Sequence, residues 1–149
     1  MYKFLRIEAD PTLWVLQDPI DVAQLTAPAQ PVAVQVAHPL QGTMLLSGRA
    51  AASVALLGPQ PVGWRPSGIM LPTAVLYLPS PAGPTHSDPG FTLPAGADLA
   101  KVQGDITTAM SAGTAVAVPI ADSGELVLNG AALSFAILCP AAAAGGSVT

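Results

Sequence analysis

Residues 115–129 read AVAVPIADSGELVLN, two apolar segments separated by a turn. Residues 115–121 and 125–129 are rich in Val, Leu and Ile, which favour strands. Between them, Asp122-Ser123-Gly124 is typical of a turn, because Asp can bond its own backbone and Gly can adopt positive φ. The stretch therefore predicts an antiparallel hairpin.

This hairpin sequence has a counterpart earlier in the chain. Residues 21–59 align with residues 105–140, and within them VAVQVA (32–37) lies over VAVPIA (116–121). The following strands align as GTMLLSG (42–48) over GELVLNG (124–130), and each of these segments begins and ends with Gly. The Asp at the start of each block (21 and 105), these glycines and the Pro at its end (59 and 140) therefore recur in the same order. We interpret this self-similarity as an internal duplication.

The duplication predicts the domain organisation. We expect a single domain over 1–142, built from repeat unit 1–62 and repeat unit 70–142 with connector 63–69, followed by a flexible tail at 143–149. Each unit is expected to contain a strand, a short helix and three strands. The fold class is therefore mainly β, bordering on α+β, with antiparallel hairpins packed as a sandwich or barrel.

The helix of the second unit has the clearest pattern. Its apolar residues recur at helical spacing: Leu99, Val102, Ile106, Ala109 and Met110. Gly113 is expected to end the helix. Asp105 is a candidate N-cap, since Gly104 interrupts the run and can split it into two pieces.

Composition excludes several classes of function. The chain has 149 residues, of which 9% are charged, with five Lys and Arg and a net charge of -4. Nucleic-acid binding needs clustered basic residues, so we expect no nucleic-acid partner. One cysteine excludes an internal disulfide and a cysteine-cluster metal site, and we expect no cofactor and no metal.

Two segments bear on localisation. The N-terminal residues 1–8 are interrupted by charges, so we predict no signal peptide and a soluble, cytoplasmic chain or part of an assembled particle. The uncharged stretch Leu126–Ala144 is long enough to span a bilayer. However, Asn129-Gly130 and Pro140 indicate turns, and the aligned segment of the first unit carries Arg49, so we predict strands and a turn rather than a membrane helix.

Candidate catalytic groups are few. His86, Ser87 and Asp88 are consecutive, and consecutive residues do not readily form a nucleophile, base and orienting group. Cys139 ends an apolar strand and is interpreted as a small buried hydrophobic residue. We therefore predict no catalytic site and a protein that is not an enzyme.

Interface candidates come from residues that differ between the two units or lie outside them: Trp64, Arg65, Arg49 and His38. Trp and Arg are enriched at interaction hot spots, because they bury a large area and offer donors or charge. Trp64 has an alternative interpretation, in which it covers the seam between the units. Trp14 is predicted to belong to the core.

Two function classes remain. The low charge content favours a self-associating structural or assembly protein, such as a component of a shell, virion or ring, whose partner is itself or another protein. The same composition can reflect codon bias in a GC-rich genome. The alternative is a module that binds a small ligand or peptide at the seam between the repeats.

Overall fold

The computed structural model describes residues 2–7, 10–26, 31–47, 53–58, 70–79 and 90–142. Of the described residues, 48% are in strands and 17% in helices, so the described part of the chain is mainly β, which confirms the predicted class. The described strands are β1 (Tyr2–Ile7), β2 (Trp14–Ile20), β3 (Val32–His38), β4 (Gly42–Leu46), β5 (Val54–Leu57), β6 (Val75–Tyr77), β7 (Phe91–Thr92), β8 (Ala115–Ile120), β9 (Gly124–Asn129) and β10 (Phe135–Cys139). The helices are α1 (Ala23–Thr26) and α2 (Leu99–Ala112).

Eight strands form one antiparallel sheet in the order β5-β1-β2-β3-β4-β10-β6-β7. The remaining two, β8 and β9, form a separate antiparallel hairpin. Helix α2 contacts both strands of this hairpin. The molecule therefore consists of a large sheet and a smaller layer made of α2 and the β8–β9 hairpin.

The large sheet is strongly curled. Trp14 on β2 and Tyr77 on β6 have ring centroids 5.6 Å apart, although β3, β4 and β10 lie between them in the sheet. In a flat sheet, four strand spacings would separate them by about 19 Å. Phe135 completes this aromatic cluster, with its ring centroid 6.2 Å from that of Trp14. The sheet thus encloses its own apolar core.

A second core lies on the opposite face of β4, β6 and β10. Leu45, Leu76 and Leu138 point to this face, where they pack with Ile106 of α2 and Leu128 of β9. All five residues of β10 are buried, because one face meets the aromatic core and the other meets the α2 layer. The central strands are therefore sandwiched between two cores, which explains their continuous apolar sequences.

Helix α2 runs without interruption through Gly104. Asp98 is its N-cap, with a carboxylate that accepts a hydrogen bond from the Lys101 backbone N–H at 3.2 Å. The predicted cap Asp105 lies about two turns inside the helix and instead pairs with the Lys101 side chain at 2.7 Å. Gly113 ends the helix with φ 70°, as expected.

The β8–β9 hairpin is confirmed, and Asp122 and Ser123 lie in its turn as predicted, but Gly124 does not. Asp122 and Ser123 adopt positive φ values of 64° and 62°, whereas Gly124 is the first residue of β9 and pairs with Ile120. Asp tolerates the left-handed region because its short polar side chain can bond locally. At Gly124, a Cβ would lie 3.1 Å from the Ile120 Cγ1 atom. The absence of a side chain at this position therefore leaves room for the Ile120 side chain.

The tandem repeat is not confirmed. The two hairpins do share a register, since the pair Val32↔Leu46 corresponds to Val116↔Leu128 in the alignment. The strands after the hairpins share one pairing and differ in another: β5 pairs with β1 and β10 with β6, the first strand of each unit, whereas β10 also pairs with β4. Helix α1 also has 4 residues against 14 in α2. The two units are therefore similar in part, in one hairpin each and in the pairing of the strand after the hairpin with the first strand of the unit.

Candidate functional site

The sequence-predicted interface residues fall into two groups. Trp64, Arg65 and Arg49 lie outside the described residues, as does the loop with His86. His38 is the last residue of β3, where it pairs with Val15 of β2 and is half-buried. Of the four candidates, the structure therefore places His38 alone, and it places it in the large sheet.

The uncharged stretch that begins at Leu126 forms part of β9, a turn and β10. Within the described residues, no helix is long and apolar enough to cross a membrane. The described residues also contain no group of three or more His, Cys, Asp or Glu side chains positioned to hold a metal ion.

Cys139 is buried in β10, with 4% of its surface exposed, which confirms its interpretation as a core residue. Burial raises the pKa of its thiol to about 12, because the thiolate would lose its hydration. A nucleophilic cysteine needs an exposed site that favours the thiolate. Cys139 instead lies in a buried environment that favours the neutral thiol.

We expect the Cys139 thiol to resist Ellman's reagent in the folded protein and to react at once in urea. The neutral thiol is favoured by folding, so its contribution to stability is fully present below the ordinary pKa of about 8.5 and is lost as the pH rises towards 12. The measurement is the rate at which the Cys139 thiol releases the coloured product of Ellman's reagent, near neutral pH and at alkaline pH. Rapid reaction of the native protein at neutral pH would contradict this burial.

A second buried polar group lies beside the aromatic core. Asp10 is 3% exposed, and its carboxylate accepts hydrogen bonds from the Tyr77 hydroxyl at 2.9 Å and from the Thr12 backbone N–H at 2.7 Å. Burial, and then the hydrogen bond and negative charge of Asp10, raise the pKa of Tyr77. The Tyr77 hydroxyl therefore stays protonated and remains a hydrogen-bond donor. Its bond to Asp10 connects the segment that follows β1 to β6.

The outermost strands carry the exposed large apolar side chains of the described β-structure. Leu57 on β5, Phe91 on β7 and Val127 on β9 are 39%, 40% and 69% exposed. Strands β5 and β7 are the two edges of the large sheet, and β9 is one edge of the hairpin. None of these three strands contains a Lys, an Arg or a Pro. Natural proteins protect open edges with charged side chains, Lys above all, and with Pro; of these three strands only β9 carries such a residue, the charged Glu125.

The other edge of the hairpin, β8, differs from β9. It contains Pro119, which lacks a backbone N–H and cannot donate to an added strand. Just beyond β8, the Ala121 backbone N–H donates to the Thr92 carbonyl at 2.8 Å, which ties this end of the hairpin to β7. Strand β9, by contrast, pairs with no described strand other than β8. The two strands have six residues each, and β9 is the one without a proline.

The seam between the two sequence units is formed by strand pairing. Strand β4 pairs with β10 from Leu46↔Phe135 to Thr43↔Leu138, so backbone hydrogen bonds occupy this boundary. A cleft of about 250 Å³ lies at one end of the seam, between Ser47 and the C-terminal end of α2. A larger open cleft of about 680 Å³ lies within the second unit, between Pro94 and the tip of the β8–β9 hairpin.

The interface candidates predicted from the sequence lie in the connector (Trp64 and Arg65) and at Arg49 and His38, and none of them lies on β5, β7 or β9. The signal for β9 was present in its lack of Lys, Arg and Pro, but the sequence does not show which strands are outermost. A scan against protein-family models and searches of curated proteins and solved structures found no match to this chain.

Proposed function

We propose that this protein is a non-enzymatic, self-associating structural protein, a component of an assembly such as a shell, virion or ring. The observation that carries the proposal is the character of β5, β7 and β9, each of which has a large exposed apolar side chain and no basic residue or proline. The backbone N–H and C=O groups of an open edge pair readily with another strand.

Charge supports the same proposal. Only 9% of the residues are charged, compared with about 25% in an average soluble domain. A low density of like charges offers little repulsion between copies that approach one another. Self-association would also bury apolar edge residues that otherwise remain in water.

The non-enzymatic part of the proposal rests on where the perturbed groups lie. Active sites usually place groups with shifted pKa values in clefts. Here the groups with the largest raised pKa values, Tyr77 and Cys139, belong to the core around the aromatic cluster. Their shifts are explained by burial and, for Tyr77, by its bond to Asp10.

The test is light scattering behind size exclusion on the full chain, from one micromolar to tens of micromolar. We expect a discrete oligomer, with a mass that is a multiple of 14.9 kDa and persists on moderate dilution. A mass of one chain at all concentrations would contradict the proposal. A broad mass distribution that grows with concentration would also contradict it, since it indicates non-specific aggregation.

The second candidate function is binding of a small ligand or peptide. It is favoured by the cleft between Ser47 and the end of α2, which lies at the seam of the two units. Its volume of about 250 Å³ is just below the usual range of ligand sites, about 300–1,000 Å³. This candidate predicts a monomer whose unfolding temperature rises with a fragment that occupies the cleft, whereas Ser47→Trp, which fills it, abolishes the rise.

A further inference from the structure

We propose that two copies of the chain pair through β9 in an antiparallel arrangement. The two-fold axis passes between the two Val127 residues, which lie opposite each other. This inference rests on the proposed self-association and adds to it the segment, the partner and the register. The product is a four-stranded sheet in the order β8-β9-β9-β8, with a helix α2 from each copy on one face.

Strand β9 fits this role better than the other edges. It has six residues, whereas β5 has four and β7 has two. The carbonyl of Thr92 on β7 already accepts the Ala121 N–H, and Pro119 interrupts β8. Val127 is the most exposed large apolar side chain among the described residues, at 69%. Strand β9 is therefore the longest of the edges that lack Lys, Arg and Pro, and Glu125 is its one charged residue.

The two faces of β9 differ in a way that suits pairing. Leu126 and Leu128 face α2, where Leu128 is 5% exposed and Leu126 is partly buried. Glu125, Val127 and Asn129 alternate with them and are exposed. An added β9 strand would place its own leucines beside Leu126 and Leu128 and so extend the apolar face that packs on α2. It would also cover one side of the exposed Val127 side chain.

Side-chain chemistry selects the register. With Val127 on the axis, Glu125 of one copy lies opposite Asn129 of the other, so a carboxylate meets an amide donor twice. Shifting the axis to Leu126 would place Glu125 opposite Val127, which offers no donor. In the Val127 register, the two Glu125 residues are roughly 14 Å apart, so their repulsion is largely screened.

The same arrangement points to a second copy as the occupant. Antiparallel pairing of β9 with itself is self-complementary, as a two-fold interface requires. The edge carries a single charge, Glu125, and the second copy supplies Asn129 as its partner. Leu126 of one copy lies opposite Leu128 of the other, so apolar side chains also meet apolar side chains.

Disulfide trapping in the full chain tests the register. Directly opposed residues of antiparallel strands have Cα atoms about 4.5–5.5 Å apart, a separation that a disulfide can bridge. We expect Val127→Cys to form covalent dimers under mild oxidation at least tenfold faster than Glu125→Cys or Asn129→Cys alone. An equal mixture of the latter two variants should cross-link with each other. The unsubstituted protein is the control, because its buried Cys139 is not expected to react.

A charged substitution tests the interface without a cross-link. We expect Val127→Lys to weaken self-association at least tenfold by light scattering. The control Val22→Lys alters another exposed valine, 51% exposed and outside every strand, and should leave self-association unchanged.

The outcomes separate this inference from the proposed function. Trapping of Val127→Cys together with weakening by Val127→Lys supports it. An oligomer that persists in Val127→Lys, with no trapping at position 127, overturns the β9 interface and leaves the self-association intact. Trapping of Glu125→Cys alone at the rate of Val127→Cys overturns the register. A monomeric unsubstituted protein at all concentrations overturns both the inference and the proposed function.

Discussion

Replacing Trp14 with alanine is expected to lower the free energy of unfolding by about 3–5 kcal/mol, which is a large part of the stability of a typical domain. Trp14 is fully buried, and its ring packs against Tyr77 at 5.6 Å and Phe135 at 6.2 Å between centroids. The substitution removes the side chain that links β2 to the strands on the far side of the curled sheet. It leaves a cavity that surrounding strands cannot fill without uncurling.

Urea denaturation at one fixed protein concentration measures this loss, because self-association would otherwise alter the apparent stability. The matched control is Leu13→Ala, the neighbouring residue, which is 37% exposed and should cost less than about 1 kcal/mol. Trp14→Phe should be milder than Trp14→Ala, since the buried Trp14 Nε1 atom has no hydrogen-bond partner to lose. Equal losses at Trp14 and Leu13 would contradict the described core.

Gly130→Ala and Gly104→Ala are expected to change stability in opposite directions. A Cβ on Gly130 would overlap the Ala109 carbonyl oxygen and lie 2.7 Å from the Met110 backbone nitrogen. The hairpin would have to move away from α2, at a cost of about 1–3 kcal/mol. A Cβ on Gly104 would meet no atom within 4 Å, so alanine should stabilise α2 by up to about 1 kcal/mol through its higher helix propensity.

Thermal unfolding followed by circular dichroism compares the two glycine variants, each with one added methyl group in the same layer of the molecule. The contact between Gly130 and α2 predicts a lower midpoint for Gly130→Ala and a higher one for Gly104→Ala. If both midpoints moved in the same direction, the close approach of hairpin and helix would be wrong.

Local sequence signals predicted the elements that depend on neighbouring residues. The β8–β9 hairpin, the Gly113 helix end and the burial of Trp14 all follow from short patterns. Strand β2 was not predicted, because Asp18 and Pro19 interrupt its apolar pattern and its pairing with β1 and β3 is irregular. Asp98 is the N-cap of α2, whereas the interruption of the apolar run at Gly104 predicts this role for Asp105.

The long-range features could not be predicted from such patterns. Strands β5 and β10 align in sequence, yet β5 lies at the edge of the large sheet and β10 at its centre, between β4 and β6. Their positions differ because each strand pairs with strands that are far away in the sequence, and a local pattern does not identify those partners. The bond between Asp10 and Tyr77 likewise joins residues 67 positions apart. The candidate edges therefore became visible only once the strand order was known.

Copies of this protein are expected to join through the open edge at β9. Hydrogen–deuterium exchange of the unsubstituted protein and of Val127→Lys, at the same tens-of-micromolar concentration, tests this expectation most directly. We expect segment 124–129 to exchange at least tenfold more slowly in the unsubstituted protein, after correction for intrinsic rates, with α2 unchanged. Equal exchange of this segment in both proteins would contradict the claim.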